Sequence, residues 1–293
     1  MAQEFNTGLD LYAEGTPTIL TGERAGSVQR PSEDLIGIVG HHAVIVLDGV
    51  STVSDEEPRG RWYVQVLGEH LAKGLVRDPF APLASILEVA IDQVVQGHGL
   101  VPGASPAATV AIVRATGDGV DALVLGDSPV VTQDLSGVVH AVTDSRLHAL
   151  VGQQAAFKEY QERLRSGGGF DAGHRRLLQD LRAHQMQWVN REGGYWIAEA
   201  IPEAGRHAVV HSWDRNQLGA VLVATDGVSC AVDEYGMFTW ESLAEACRSH
   251  GPASVVDSVH QEEAQDPNAV LYPRYKPHDD KALVFWGLAS PSA

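Results

Sequence analysis

Three apolar runs of strand length each meet a carboxylate at one end. Ala43-Val44-Ile45-Val46-Leu47 runs into Asp48-Gly49, and Ala220-Val221-Leu222-Val223-Ala224-Thr225 runs into Asp226-Gly227. Asp279-Asp280 leads directly into Lys281-Ala282-Leu283-Val284-Phe285-Trp286. Unbroken aliphatic runs of this kind belong to strands buried on both faces. A carboxylate carried there by buried backbone is costly unless something positive neutralises it, and few basic residues stand close by in sequence. A hard divalent cation is the natural partner, and magnesium or manganese suits carboxylate and water ligands. The glycines after Asp48 and Asp226 would let the backbone turn sharply and bring a carbonyl to such an ion.

Asp-Gly is also the commonest hairpin turn, and Asp118-Gly119, midway between two apolar runs, reads as one. For Asp48 alone the turn and the metal site weigh evenly. A second Asp-Gly in the same context, together with the acidic pair, shifts the balance towards metal. Glu33-Asp34 precedes the run Leu35 to Val39 and lies beside Asp48 if the two strands pair. Asp127 follows Ala122 to Leu125, where turn and ligand remain equally open.

The order of elements points to an α+β protein. Leu35 to Val39 and Ala43 to Leu47 read as paired strands around Gly40-His41-His42. Trp62 to Val76 and Leu83 to Val95 carry apolar residues at helical spacing. Hairpin signals follow around Thr116 to Gly119 and Asp134 to Gly137, which favours antiparallel pairing. From about 151 to 200 the chain turns polar and helix-prone, with Gln153 to Leu164 and His174 to Val189 split by Ser166-Gly167-Gly168-Gly169; this reads as an insertion or flap. Strands are expected at Tyr195 to Ala198, His207 to His211, Ala220 to Ala224 and Lys281 to Trp286, with helices at Thr239 to Ser249 and Ala253 to Glu263. Helical layers outside two packed antiparallel sheets fit that order, as one domain over 1–293.

With 38 Asp+Glu against 21 Lys+Arg, the net charge of −17 disfavours nucleic acid and anionic membranes as partners. The first residues lack the basic start and apolar core of a secretory signal. No apolar run approaches the roughly 20 residues that span a bilayer, so the expected location is the cytoplasm. Cys230 and Cys247 have neither disulfide-framework nor zinc spacing.

These residues, in this order, resemble the metal-dependent protein phosphatases of type 2C, in a divergent, bacterial-like form. Ser32-Glu33-Asp34 is similar to the family's opening acidic pair, and Asp48-Gly49-Val50-Ser51-Thr52 to its Asp-Gly-x-Gly-Gly motif. Ala107-Ala108-Thr109 loosely matches a Gly-Thr-Thr strand, Gly126-Asp127-Ser128-Pro129 a Gly-Asp-Ser-Arg motif, and Thr143-Asp144-Ser145 a Thr-x-Asp-His element. Thr225-Asp226-Gly227 is similar to Ser-Asp-Gly, and Asp279-Asp280 to the closing acidic pair. The match runs from about Glu33 to Trp286.

The resemblance implies a four-layer α-β-β-α sandwich with a pair of Mn²⁺ or Mg²⁺ ions in a cleft at one end of the sheets. Asp48 would bridge the ions, with the Gly49 carbonyl on one of them. Asp226 and Asp279 would complete the shell, Glu33 and Asp34 would act largely through water, and Asp127 would help hold a third, weaker ion. A hydroxide bridging the two metals would attack phosphorus in line with the leaving oxygen, without a covalent intermediate. Arg30 is the nearest basic residue to the place of the family's phosphate-gripping arginine, one position out of register. His278, beside Asp279, is the candidate for protonating the leaving group.

The departures from the pattern are Val50, where many members carry a histidine, Ser51 and Thr52 for two glycines, and Pro129 for arginine. The expected activity is hydrolysis of phosphoserine or phosphothreonine. The alternatives are a phosphatase of small phosphoesters and an inactive pseudophosphatase serving as a binding or regulatory module.

Overall fold

The computed structural model describes residues 3–5, 18–50, 59–152 and 154–288. Ser51 and Thr52 lie outside the described residues. Each long apolar run pairs antiparallel with its neighbours, because alternating side chains can be buried on both faces only within a stacked sheet. The first sheet contains β3 (Asp34–Val39), β4 (Ala43–Val50), β5 (Ala107–Thr116), β6 (Gly119–Leu125) and β9 (Val209–Asp214), in that order. Short β1 (Gln3–Phe5) adds to the β3 edge and makes the one parallel pairing reported among the described strands. The second sheet runs β2 (Thr18–Arg24), β11 (Lys281–Gly287), β10 (Leu218–Ala224), β7 (Val130–Asp134) and β8 (Val139–Val142).

Residue parity decides where each strand's side chains go. Ile36, Val44, Val46, Ala111 and Val113 face Val221, Val223, Ala282, Val284 and Trp286 in the core between the sheets. The alternate residues Leu35, Ile45, Leu47, Val110 and Ile112 face outward beneath α1 (Gly60–Arg77) and α2 (Leu83–His98). On the other side, Leu222, Ala224, Leu283 and Phe285 lie beneath α7 (Trp240–His250) and α8 (Pro252–Gln265). The result is the expected α-β-β-α sandwich.

The polar stretch after β8 forms α3 (Arg146–Gly152), α4 (Ala155–Arg165) and α5 (Ala172–Gln185). Tyr160 and Leu164 of α4, with Leu177 and Leu178 of α5, pack on Ala269 and Tyr275 rather than on either sheet. Two expected strands take other forms. Tyr195 to Ala198 contributes only single bridges, Tyr195 to Val189 and Ala198 to Ala108. The strand expected from His207 begins at Val209, because Pro202–His207 winds into a 3-10 turn and the His207 ring stacks on Trp196 at 3.5 Å. No helix among the described residues is long and apolar enough to cross a membrane.

Leu47 is fully buried between β4 and the outer helices. Leu47→Ala should cost about 2–5 kcal/mol, seen as a lower urea midpoint with an unchanged slope.

Candidate metal centre

The parity that fills the inter-sheet core continues past its apolar end. Two residues beyond Val46 comes Asp48; two before Ile36 comes Asp34, directly opposite Asp48 in the β3–β4 register. Thr109 of β5 is the next residue across, and its hydroxyl shares a 2.6 Å hydrogen bond with Ser128. On the facing sheet, two residues beyond Val223 comes Thr225, whose hydroxyl donates to Asp34 Oδ2 at 2.8 Å and accepts from the Ala282 amide at 3.0 Å. This hydroxyl stitches the sheets together beside the aspartates.

Asp226 does not end a strand, as the sequence pattern suggested. It opens a short helix, α6 (Asp226–Asp233), with Thr225 at the N-cap position, where the positive end of the helix dipole favours a carboxylate. Asp279 and Asp280 precede β11 and divide the work. Asp280 accepts from the Gly26 amide at 2.8 Å and the Glu33 amide at 2.9 Å, joining the segments before β3 and β11. Asp279 instead pairs with the Lys276 ammonium at 2.6 Å. Asp127 lies in the crossing from β6 to β7, steadied by the Gly126 amide, which donates to buried Asp144 at 3.3 Å. Arg146 grips Asp144 from the other side.

The electrostatics report how crowded these acids are. Burial, then the charges of Asp226, Asp34 and Asp279, push the Asp48 carboxyl well above its ordinary range. Burial, then Asp280, raises Asp34 despite the hydrogen bond from Thr225. Asp226 is pushed up to about 8 by burial and by Asp279 and Asp127. Burial and Asp144 raise Asp127. Burial also pushes Asp279 up, but Lys276 and Lys281 outweigh it and hold its carboxyl below the usual range. In the same exchange Asp279 raises the Lys276 ammonium against the opposing effect of burial.

Acids that raise one another's pKa at the open end of a core fit a site for hard cations. Asp34, Asp48, Asp226 and Asp279 would hold a metal pair, with Asp127 beside them. Gly49 is a glycine for lack of space rather than for a turn. The strand runs straight through it to Val50, and a β-carbon there would lie 2.7 Å from the Glu33 carbonyl oxygen and 3.0 Å from Gly60. Gly227 is packed likewise, with the Asp280 carbonyl oxygen where a β-carbon would sit.

Several candidates from the sequence stand elsewhere. The His278 Nδ1 lies 3.0 Å from Glu263 Oε2, and its ring stacks on His260 at 4.0 Å. It is engaged by α8 and not by the aspartates. His260, Glu263 and His278 do bring ligand atoms within 4.8 Å of one another. However, the fully buried Lys281 ammonium already sits 2.7 Å from that Glu263 oxygen, and stacked imidazoles aim their lone pairs in parallel. The group anchors the chain entering β11. Glu33 places its side chain against Gly60, and its carbonyl accepts from the Gly49 amide at 3.1 Å. Arg30 is exposed. His41 and His42 sit at the far end of β4, about 20 Å of strand from Asp48.

Several solved structures share this sandwich. The PPM Ser-Thr phosphatase MsPP from Mycobacterium smegmatis, solved with cacodylate, superposes with a TM-score of 0.55 at 18% identity, over 92% of this chain and 98% of its own. The serine/threonine phosphatase PstP of Mycobacterium tuberculosis gives 0.55 at 14%, over 93% and 98%. The PstP catalytic domain solved with two manganese ions gives 0.54 at 14%, over 92% and 97%. No curated protein sequence matches the chain. The pattern of the protein phosphatase 2C family matches residues 21–262, and the chain belongs to that family.

Without metal, the folded protein holds protons on Asp34, Asp48 and Asp226 that the unfolded chain releases above about pH 4. Stability of the chelator-treated protein should therefore fall as pH rises from about 4 towards 8, and Asp48→Asn should flatten that fall in a thermal melt. Added Mn²⁺ should raise the wild-type Tm more at pH 8 than at pH 5.5, because the ligands must lose their protons to bind. Gly227→Ala, which drives a methyl into the Asp280 carbonyl, should cost about 1–3 kcal/mol and lower the Tm of the metal-free protein.

Proposed function

We propose that the protein is a Mn²⁺- or Mg²⁺-dependent phosphatase acting on phosphoserine and phosphothreonine in the cytoplasm. The observation that carries this reading is the convergence of Asp34, Asp48, Asp226 and Asp279 from both sheets on one end of the inter-sheet core. When bound, a pair of divalent ions supplies positive charge to the phosphoryl oxygens and acidifies the attacking water. The chain's part is to hold and place that charge. Asp48 stands opposite Asp34 in the strand pairing and hydrogen-bonds Asp226, so it would be the carboxylate shared by the ions. The Gly49 carbonyl, Asp226 and Asp279 would complete the ligand set, and Asp127 would help hold a weaker third ion.

The attack needs no protein nucleophile. Burial pushes the Cys247 thiol up to about 12 and raises Cys230 still further, so neither offers a thiolate at neutral pH. Exposed Val50, at the end of β4, has no proton to give, which leaves the departing alkoxide to take one from solvent. The helices α4 and α5 form the flap through which a phosphorylated protein is selected. They pack on the segment leading to Lys276 and Asp279. The serine/threonine phosphatases with the same fold, among them one holding two manganese ions, support the choice of substrate and metal.

The test uses protein stripped of metal and assayed on an aryl phosphate and on phosphoserine peptides. Mn²⁺ should switch on hydrolysis, and Asp48→Asn or Asp226→Asn should each lower kcat/KM by about 100-fold or more. Turnover that ignores metal, or a wild type no faster than these variants, defeats the proposal. Peptide and small-phosphoester rates measured side by side decide the substrate class.

A further inference from the structure

The site contains a cation that the sequence pattern did not signal. The Lys276 ammonium lies 2.6 Å from Asp279 Oδ1 and within electrostatic reach of Asp48 and Asp226. Its side chain is nevertheless 45% exposed, so it stands at the mouth of the acid cluster and not in its floor. The backbone around it is held on every side. Arg274 donates to Pro277 O at 2.9 Å, Tyr272 O at 3.0 Å, Glu263 O at 2.9 Å and Asp266 O at 2.6 Å, besides its ion pair with Asp266. Asp266 in turn accepts from the amides of Val270, Leu271 and Tyr272. Tyr160 of α4 donates to Pro273 O at 3.3 Å, and His174 Nε2 of α5 lies 3.0 Å from Tyr275 O. A loop this heavily braced fixes the origin of one flexible, charged side chain.

Charge balance assigns that side chain a task. Asp34, Asp48, Asp127, Asp226, Asp279 and Asp280 outnumber the cations beside them, Lys276 and Lys281, and leave a deficit that divalent ions would fill. Metal held by Asp279 would free the Lys276 ammonium for whatever anion enters the mouth. Arg30, by contrast, is exposed and makes no ion pair with any described residue.

We infer that Lys276 is a substrate-binding residue: it competes with metal for Asp279 in the empty site and grips the phosphoryl oxygens of substrate and product once the metals are in place. This deepens the phosphatase reading and rests on it. It supplies from the loop before β11 the cation that the displaced Arg30 does not.

The test compares wild type with Lys276→Met and Lys276→Arg, using calorimetry with Mn²⁺ alone, then with inorganic phosphate on the Mn²⁺-loaded proteins, and steady-state hydrolysis of an aryl phosphate. Lys276→Met should bind the same two Mn²⁺ per chain, more tightly than wild type because a competitor is gone. Its phosphate affinity should fall about ten-fold, with KM raised alongside, and Lys276→Arg should recover most of both. A purely structural lysine would weaken metal and phosphate binding together, and that result overturns the proposal. So does an unchanged phosphate affinity in Lys276→Met, or a phosphate loss found in Arg30→Ala instead. A wild type binding one Mn²⁺ where Lys276→Met binds two makes the ammonium a stand-in for a metal, and also overturns it. A wild type that takes up neither Mn²⁺ nor phosphate sinks the phosphatase reading itself, a failure distinct from the others.

Discussion

Repulsion among acids crowded at one end of a β-sandwich is the constraint around which the rest of this molecule is arranged. Two unit charges about 5 Å apart interact with roughly 3 kcal/mol at the effective dielectric of a protein. Several such pairs among Asp34, Asp48, Asp226 and Asp279 would approach the 5–15 kcal/mol that holds a typical domain together. The metal-free protein relieves the strain in the ways open to it. Burial and mutual repulsion raise Asp34 and Asp48 well above the ordinary carboxylate range and Asp226 to about 8, Thr225 donates a hydrogen bond to Asp34, and Lys276 pairs with Asp279. Each device serves one acid, and none spans them all. Cations placed between the acids would relieve the whole cluster at once, so metal binding and folding stability act on the same free energy in this protein.

The strands that deliver the acids were legible in the sequence because two-sided burial leaves an unmistakable mark: long aliphatic runs with a polar residue only where the run stops. That mark carried Asp48, Asp226 and Asp279, and strand pairing carried Asp34. It could not distinguish how the chain continues. Asp226 heads a helix because Val228 and Ala231 find an apolar seat beneath it, a tertiary fact that a short segment with an internal glycine does not advertise. Gly49 and Gly227 suggested turns, yet both answer to the close approach of a neighbouring backbone. His278 drew attention by adjacency to Asp279. Neighbours on extended chain point to opposite sides, and this ring belongs to the Glu263–Lys281 anchor behind the site.

Lys276 escaped notice for a different reason. Nothing in Arg274-Tyr275-Lys276-Pro277 is periodic, and the fold of this segment is dictated by hydrogen bonds to a buried arginine and to two helices far away in sequence. The same dependence ties the 151–200 region to the chemistry. Tyr160 and His174 brace the backbone from which both the lysine and Asp279 depart, so a shift of α4 and α5 is a shift of a metal ligand and of the cation beside it. In that sense the 151–200 region belongs to the candidate site, although none of its side chains stands among the four central acids.

A lysine in this place also differs in kind from the arginine it replaces. A guanidinium fixes a phosphate through a planar, two-pronged contact and selects for its orientation, whereas an ammonium is a compact charge on a flexible stem and selects mainly for negative charge at a distance. On a mobile loop such a group would define little. Here the loop is braced by hydrogen bonds, so the position of the charge is bounded by the length of the stem while its direction stays free. On the proposed reading, orientation of the phosphoryl group would fall to bound metal and to Asp48, while the lysine would govern how readily an anion is admitted and how long the product stays.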